Sequence, residues 1–320
     1  MGAPRGAWQT IRYRPMRRSP CSSAVTVTRE ICRPHRDSEN HAKERRSRHA
    51  AGKQRRRSSA YEKLVNTLFQ HPLQVVLDCS PLSEFLKPVW GGDDVERLLL
   101  TGTFAGAFGV SVCMLLIWRL VLAPAIPLYA GRSDSDKVFL GNSFVSLWPA
   151  FTAPVLAWAC LRELAWDDVS VLMEAKADAY ALRAVGISCG YMAYDTLYCL
   201  TYKQMRSPLI IGHHIRSVLA WPYCALNSRA LPFVLFYIIT EVTNIGQHSR
   251  MILLKLGLEE FVIYSIIGVS WVIMFFTVRI APSPYLFYHL VNGNYASFTT
   301  GEFWCVACLC PLPFVLNSYW

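Results

Sequence analysis

The stretch Leu98-Leu-Leu-Thr-Gly-Thr-Phe-Ala-Gly-Ala-Phe-Gly-Val-Ser-Val-Cys-Met-Leu-Leu-Ile-Trp118 decides the fold, because it runs for 21 residues without a charged side chain. A helix rising about 1.5 Å per residue needs about 20 such residues to cross the hydrocarbon core of a bilayer. Leu98–Trp118 therefore reads as a membrane span. Outward from it, further apolar windows fall at 138–161, 181–202, 208–227, 230–247, 260–279 and 302–319. Together they predict an all-α integral membrane protein, a bundle of about five to seven transmembrane helices over 98–320.

Composition points the same way. Hydrophobic residues make up 53% of the chain, charged residues 17%, and the mean hydropathy is +0.25, too apolar for an ordinary soluble domain. The charge is unevenly spread: residues 1–60 hold 16 of the 32 Lys and Arg but 4 of the 22 acids, a net +12, which leaves −2 for the rest. The positive balance belongs to a tail, so the body gives no reason to expect a nucleic-acid partner. With Arg17-Arg18, Arg45-Arg46 and Arg55-Arg56-Arg57 and few large aliphatics, residues 1–60 read as a disordered basic tail. A solvated tail, an organelle transit peptide, a contact for anionic lipid headgroups and a nuclear-type patch all fit that composition. Residues 61–97 read as an interfacial linker, with Leu64, Val65, Leu68 and Phe69 at helical spacing and a turn at Trp90-Gly91-Gly92.

Of the cysteines, Cys113, Cys160, Cys189, Cys199, Cys224, Cys305, Cys308 and Cys310 sit within apolar runs and read as small buried hydrophobes. Cys305-Val-Ala-Cys308-Leu-Cys310 lacks a second pair at zinc spacing, so no metal and no cofactor is expected.

An ionisable side chain at the bilayer centre costs about 2.5–3.5 kcal/mol on insertion scales, so it needs a partner or a role. Three segments carry such groups: Asp195 within Gly190–Tyr198, His213-His214 within Ser207–Arg216, and Glu241 with Asn244 within Ile239–His248. Helical spacing places Tyr191, Asp195 and Tyr198 on one face, and Glu241, Asn244 and His248 on another. Ser207 suits an N-cap and Pro208 the first helical position, which starts a span there. His213 and His214 then lie about two turns in, pointing about 100° apart. A buried carboxylate and imidazole can pair and move a proton; the same groups can also bond across helices and fix packing. Both readings stand on the residues alone. Arg119 and Arg162, at span ends, read as snorkelling side chains.

The ordered set Tyr191-x-x-x-Asp195, His213-His214, Glu241-x-x-Asn244 and the closing Leu316-Asn317-Ser-Tyr-Trp320 resembles the TLC-domain family. That family groups translocating-chain-associating membrane proteins, ceramide synthases and lipid-regulating relatives. The resemblance covers about 98–320, is sharpest over 190–255 and implies at least five membrane helices. In ceramide synthases the paired His lie in the segment that transfers an acyl group from acyl-CoA to a sphingoid amine, and His213 and His214 occupy the matching position. Those enzymes follow the pair with His-Asp-x-x-Asp, where this chain has Thr240-Glu241-Val-Thr-Asn244. An amide cannot serve as a general base, so the resemblance implies the branch that adjusts membrane phospholipid composition without a settled enzymatic reaction. The expectation is a protein of membrane lipid homeostasis, in the endoplasmic reticulum or plasma membrane, with Asp195, His213, His214, Glu241 and Asn244 lining a lipid pocket. Tyr191, Tyr198 and His248 form a secondary polar face. An acyl-CoA-dependent lipid acyltransferase, with acyl-CoA as substrate, and a translocon-associated or transport protein are the alternatives.

Overall fold

The computed structural model describes residues 80–164 and 168–309. The basic tail, the linker up to residue 79, and the chain from 310 on, with Cys310 and the closing Leu316–Trp320 motif, lie outside the described residues.

The described residues are helical and contain no strand. In chain order the helices of nine or more residues are α1 (Ser80–Trp90), α2 (Asp94–Ile117), α3 (Asp134–Leu161), α4 (Ala179–Thr201), α5 (Pro208–Leu226), α6 (Leu231–Thr240), α7 (Thr243–Lys255), α8 (Val262–Phe275), α9 (Ser283–Val291) and α10 (Thr300–Leu309). Short polar side chains set four of the starts by accepting from amides that a first helical turn leaves unpaired. Asp93 accepts from Val95 N at 2.9 Å, Ser133 from Asp136 N at 3.1 Å, Asp178 from Ala181 N at 2.7 Å and Ser207 from Ile210 N at 3.5 Å. Pro208 is the first residue of α5, as the sequence predicts. Gly91 and Gly92, at φ +66° and +78°, make the turn from α1 into α2, a backbone region that costs glycine little. Trp90, just before them, is buried and donates its indole N–H to Val218 O at 3.2 Å.

Among the described residues, three helical paths are long and apolar enough to cross a membrane: Asp94–Ala125, Asp134–Leu161 and Val262–Val291. The apolar windows predicted more. Two of the others form long helices, but α4 carries Arg183 and Asp195, and α5 carries His213, His214 and Arg216. The run 230–247 is not one helix: α6 stops at Thr240 and α7 begins at Thr243. The polar residues that make the site interesting are the ones that lower these segments' apolarity.

Helix α4 sits at the centre. Gly186 and Gly190 press it against α2: a Cβ at Gly190 would collide with the Phe104 carbonyl oxygen, and one at Gly186 would lie 2.8 Å from Thr103 Cβ. Small residues four apart let two helix backbones approach closely, a common packing device in membranes. At the other extreme, α8 buries no residue, and Val262, Ile266, Val269 and Val272 are all more than half exposed. Such an apolar outer face is what lipid, rather than water, would solvate.

Two helices pass through a wider π turn, α2 at Trp118–Leu122 and α8 at Phe276–Ile280. Each turn carries one arginine, Arg119 and Arg279. Isolated π turns are frequent at functional sites.

Candidate functional site

The first wall of the site is the pairing of α3 with α4. Residues 138, 142 and 146 recur every four positions along one face of α3, and each meets α4 through a hydrogen bond. Tyr198 Oη donates to Val138 O at 2.9 Å, Asn142 Nδ2 donates to Asp195 Oδ1 at 2.7 Å, and the Ser146 and Tyr191 hydroxyls share a bond of 2.6 Å. The rungs run in opposite directions along the two helices, so α3 and α4 are antiparallel. The face predicted to hold Tyr191, Asp195 and Tyr198 is thus the seam against α3. From that seam Asp195 Oδ2 reaches His214 Nδ1 on α5 at 3.3 Å. This is ion-pair distance, although the ring is not turned into full hydrogen-bond alignment. Asn142, Asp195 and His214 are all less than a tenth exposed.

The second wall is the joint between α6 and α7. There Asn244 N bonds to Glu241 O at 2.9 Å and Ile245 N to Val242 O at 3.2 Å, the i to i+3 pattern of a tightened helical turn. In such a turn the side chains at i and i+3 eclipse, and Asn244 Nδ2 donates to Glu241 Oε2 at 2.6 Å. Arg279, from the π turn after α8, closes the joint. Its Nε donates to Thr243 Oγ1 at 2.8 Å, and its Nη2 donates to Thr240 O at 3.1 Å and to Asn244 Oδ1 at 2.9 Å. The same nitrogen lies 3.9 Å from Glu241 Oε1, and the guanidinium stands over the Phe275 ring at 5.4 Å, where a cation is attracted to the π face.

Between the walls lies a cavity of about 380 Å³. Asp195, His213, His214, Glu241, Asn244, Tyr191 and His248 all line it, whereas Tyr198 is spent on the seam and does not. The two imidazoles lie 5.6 Å apart between ring centres, and His213 meets the Trp221 ring edge-on at 6.4 Å. Helix pairing orders the lining into layers. Phe139 is a turn before Asn142, Leu209 and Ile210 a turn before the His pair, and Met251 lies near the end of α7, which the Lys255–Asp136 ion pair at 2.8 Å anchors beside the start of α3. These apolar residues share one end. Tyr191, Glu241, Asn244, Trp221 and Arg279 lie beyond the Asp195–His214 layer, away from that end. Apolar side chains thus gather at one end of the cavity, and Tyr191, Glu241, Asn244 and Arg279 at the other.

Among the polar cavity residues that the sequence reading did not single out, Arg279 and Asn142 bond directly to predicted ones. Arg279 closes the apolar window 260–279; its signal was that it is the lone cation of that window. Asn142 carries no charge, so a search for ionisable groups passed over it. Among the described residues no group of three His, Cys, Asp or Glu side chains could hold a metal ion.

Comparison with known proteins adds an independent line. A family model described as the TLC domain matches residues 140–320. The chain is similar to TLC domain-containing protein 4-A of Xenopus laevis, 28% identical over 182 residues, which is 52% of this chain and 68% of that protein. Its likeness to TLC domain-containing protein 4 A of Dictyostelium discoideum is 23% identity over 192 residues, 59% of this chain and 73% of the relative. TLC domain-containing protein 1 of Gallus gallus is 27% identical over 177 residues, 53% of this chain and 68% of the relative. No solved structure matches.

Proposed function

The chain belongs to the TLC-domain family, and on that premise we propose that it is a multi-pass protein of membrane lipid homeostasis that holds a lipid in the cavity between its two polar walls. In this reading α4, α5 and the jointed α6–α7 pair cross the bilayer with the three long apolar helices, giving six spans, within the five to seven that the apolar windows predict. The membrane is that of the endoplasmic reticulum or the cell surface. The observation that carries it is the cavity itself. Ionisable and amide side chains from α3, α4, α5, α7 and the turn after α8 converge on one space with apolar side chains at one end, although each is costly at membrane depth.

The test is lipid profiling of cells lacking the protein, complemented with the wild type or with His214→Ala. The wild type should restore the phospholipid composition and His214→Ala should leave the null profile. Indistinguishable profiles across all three lines would overturn the reading.

A second reading, acyl-CoA-dependent acyl transfer, is favoured by one observation, the 3.3 Å approach of Asp195 to His214. A carboxylate beside an imidazole orients it and supports its action as a base towards a hydroxyl or amine. Purified protein supplied with labelled acyl-CoA and a panel of sphingoid bases and lysolipids should then form an acylated product; absence of product across the panel removes this reading.

A further inference from the structure

The carboxylate of Asp195 is held from two sides. Oδ1 accepts from Asn142 Nδ2 at 2.7 Å, and Oδ2 faces His214 Nδ1 at 3.3 Å, with the Cys199 thiol, among the described residues, as a further weak donor at 3.9 Å. An ionised carboxylate accepts and cannot donate, and a neutral imidazole has one donor and one acceptor nitrogen. With the carboxylate ionised and the ring neutral, a lone pair on Nδ1 would face a lone pair on Oδ2 at 3.3 Å, so the tautomer this approach favours, even short of full hydrogen-bond alignment, carries its proton on Nδ1 and leaves Nε2 of His214 with the lone pair.

Asn142 is not needed to join α3 to α4. The Tyr198–Val138 bond lies on one side of it and the Tyr191–Ser146 bond on the other. Its own Oδ1 is buried without a hydrogen-bond partner, a cost that an apolar side chain of similar shape would avoid. The amide is oriented for Asp195 at its own expense.

Resting on the reading of this cavity as the working site, we propose that Asn142 is a positioning residue: by holding Oδ1 of Asp195 it fixes Oδ2 on His214, and so selects the tautomer that presents Nε2 as the acceptor. A neutral imidazole left to itself favours the opposite tautomer, with the proton on Nε2. The geometry at His214 therefore depends on a residue that does not touch it.

The experiment is nitrogen NMR of the full chain, ¹⁵N-labelled at histidine, in phosphatidylcholine nanodiscs, at a pH where the ring is neutral, with His214→Gln to assign the signals. In the wild type the Nδ1–H tautomer of His214 should dominate. Asn142→Leu should move most of the signal to Nε2–H, as Asp195→Ala does, while Tyr191→Phe, which removes the neighbouring rung, should leave it in place. A wild-type His214 spectrum in Asn142→Leu, or an equal shift in Tyr191→Phe, would overturn the proposal. Should the leucine variant fail to fold, Asn142→Ser, too short to reach Asp195, gives the same readout. Lipid profiling separates this proposal from the one beneath it. A shifted tautomer with unchanged lipids supports the positioning role and overturns the lipid reading, and an unmoved tautomer with altered lipids does the reverse.

Discussion

The two walls of the cavity bury the same chemical motif and finish it differently. Each holds a carboxylate against an asparagine amide, Asp195 with Asn142 at 2.7 Å and Glu241 with Asn244 at 2.6 Å. The nitrogen base that completes the set is a histidine on one wall and an arginine on the other. A guanidinium is charged at any pH a cell reaches, and its planar fork bonds several acceptors at once. An imidazole gains and loses its proton near neutrality. Arg279 also ties three backbone and side-chain oxygens of the α6–α7 joint, whereas His214 meets one carboxylate and the neighbouring His213 ring. Buried charge is thus fastened differently on the two sides of one cavity: the Glu241 wall is tied through several bonds to Arg279, and the Asp195 wall rests on Asn142 and the approach of His214.

Four substitutions break or sharpen that contrast. The largest effect belongs to Arg279→Leu, which strands Glu241 and uncaps Thr240 O; unpairing one member of a buried ion pair costs about 3–5 kcal/mol. Unfolding of the purified protein in detergent, followed by tryptophan fluorescence, should show that loss. Adding Glu241→Gln should recover part of it, as expected for coupled sites. Next is Asn244→Leu, which leaves a buried acceptor unmet on Glu241 and should cost about 1–3 kcal/mol in the same assay. Tyr198→Phe removes one seam bond outside the cavity and should cost about 1 kcal/mol, with cellular lipid composition unchanged. Asp195→Asn keeps the shape and an oxygen for Asn142 but takes the charge away from His214. Its stability loss should be the smallest, below about 1 kcal/mol, while the lipid profile follows the null line. A loss for Asp195→Asn as large as that for Arg279→Leu would erase the distinction between the walls.

Much of this was legible in the sequence for a definite reason. Asp195, His213, His214 and Glu241 stand out because ionisable groups are rare in apolar runs, and helical spacing then brings Tyr191, Asn244 and His248 in with them. Ser207 and Pro208 announced the start of α5 through local chemistry alone. What stayed hidden depends on tertiary contact or on a weak local signal. The joint at Glu241–Val242 lies where an apolar run, 231–239, gives way to the polar stretch 243–250, and nothing nearer than Arg279, almost forty residues on, shows why a tightened turn is stable there. Asn142 gains its meaning only when α3 meets α4. Gly186 and Gly190 carried a spacing that the search for polar residues did not use. The count of spans was the least legible feature, since the helices that line the cavity are made less apolar by the residues that line it.

The central claim is that a lipid occupies the space between the walls, and native mass spectrometry of the delipidated full chain tests it most directly. Ser143, on α3, lines the cavity and is 6% exposed, so Ser143→Trp fills the space without touching a charged residue; Cys199→Phe is a second filling variant. The account predicts that the wild type keeps a bound lipid through detergent exchange, and that folded Ser143→Trp and Cys199→Phe lose it. The same lipid adduct at the same occupancy in all three proteins would contradict it.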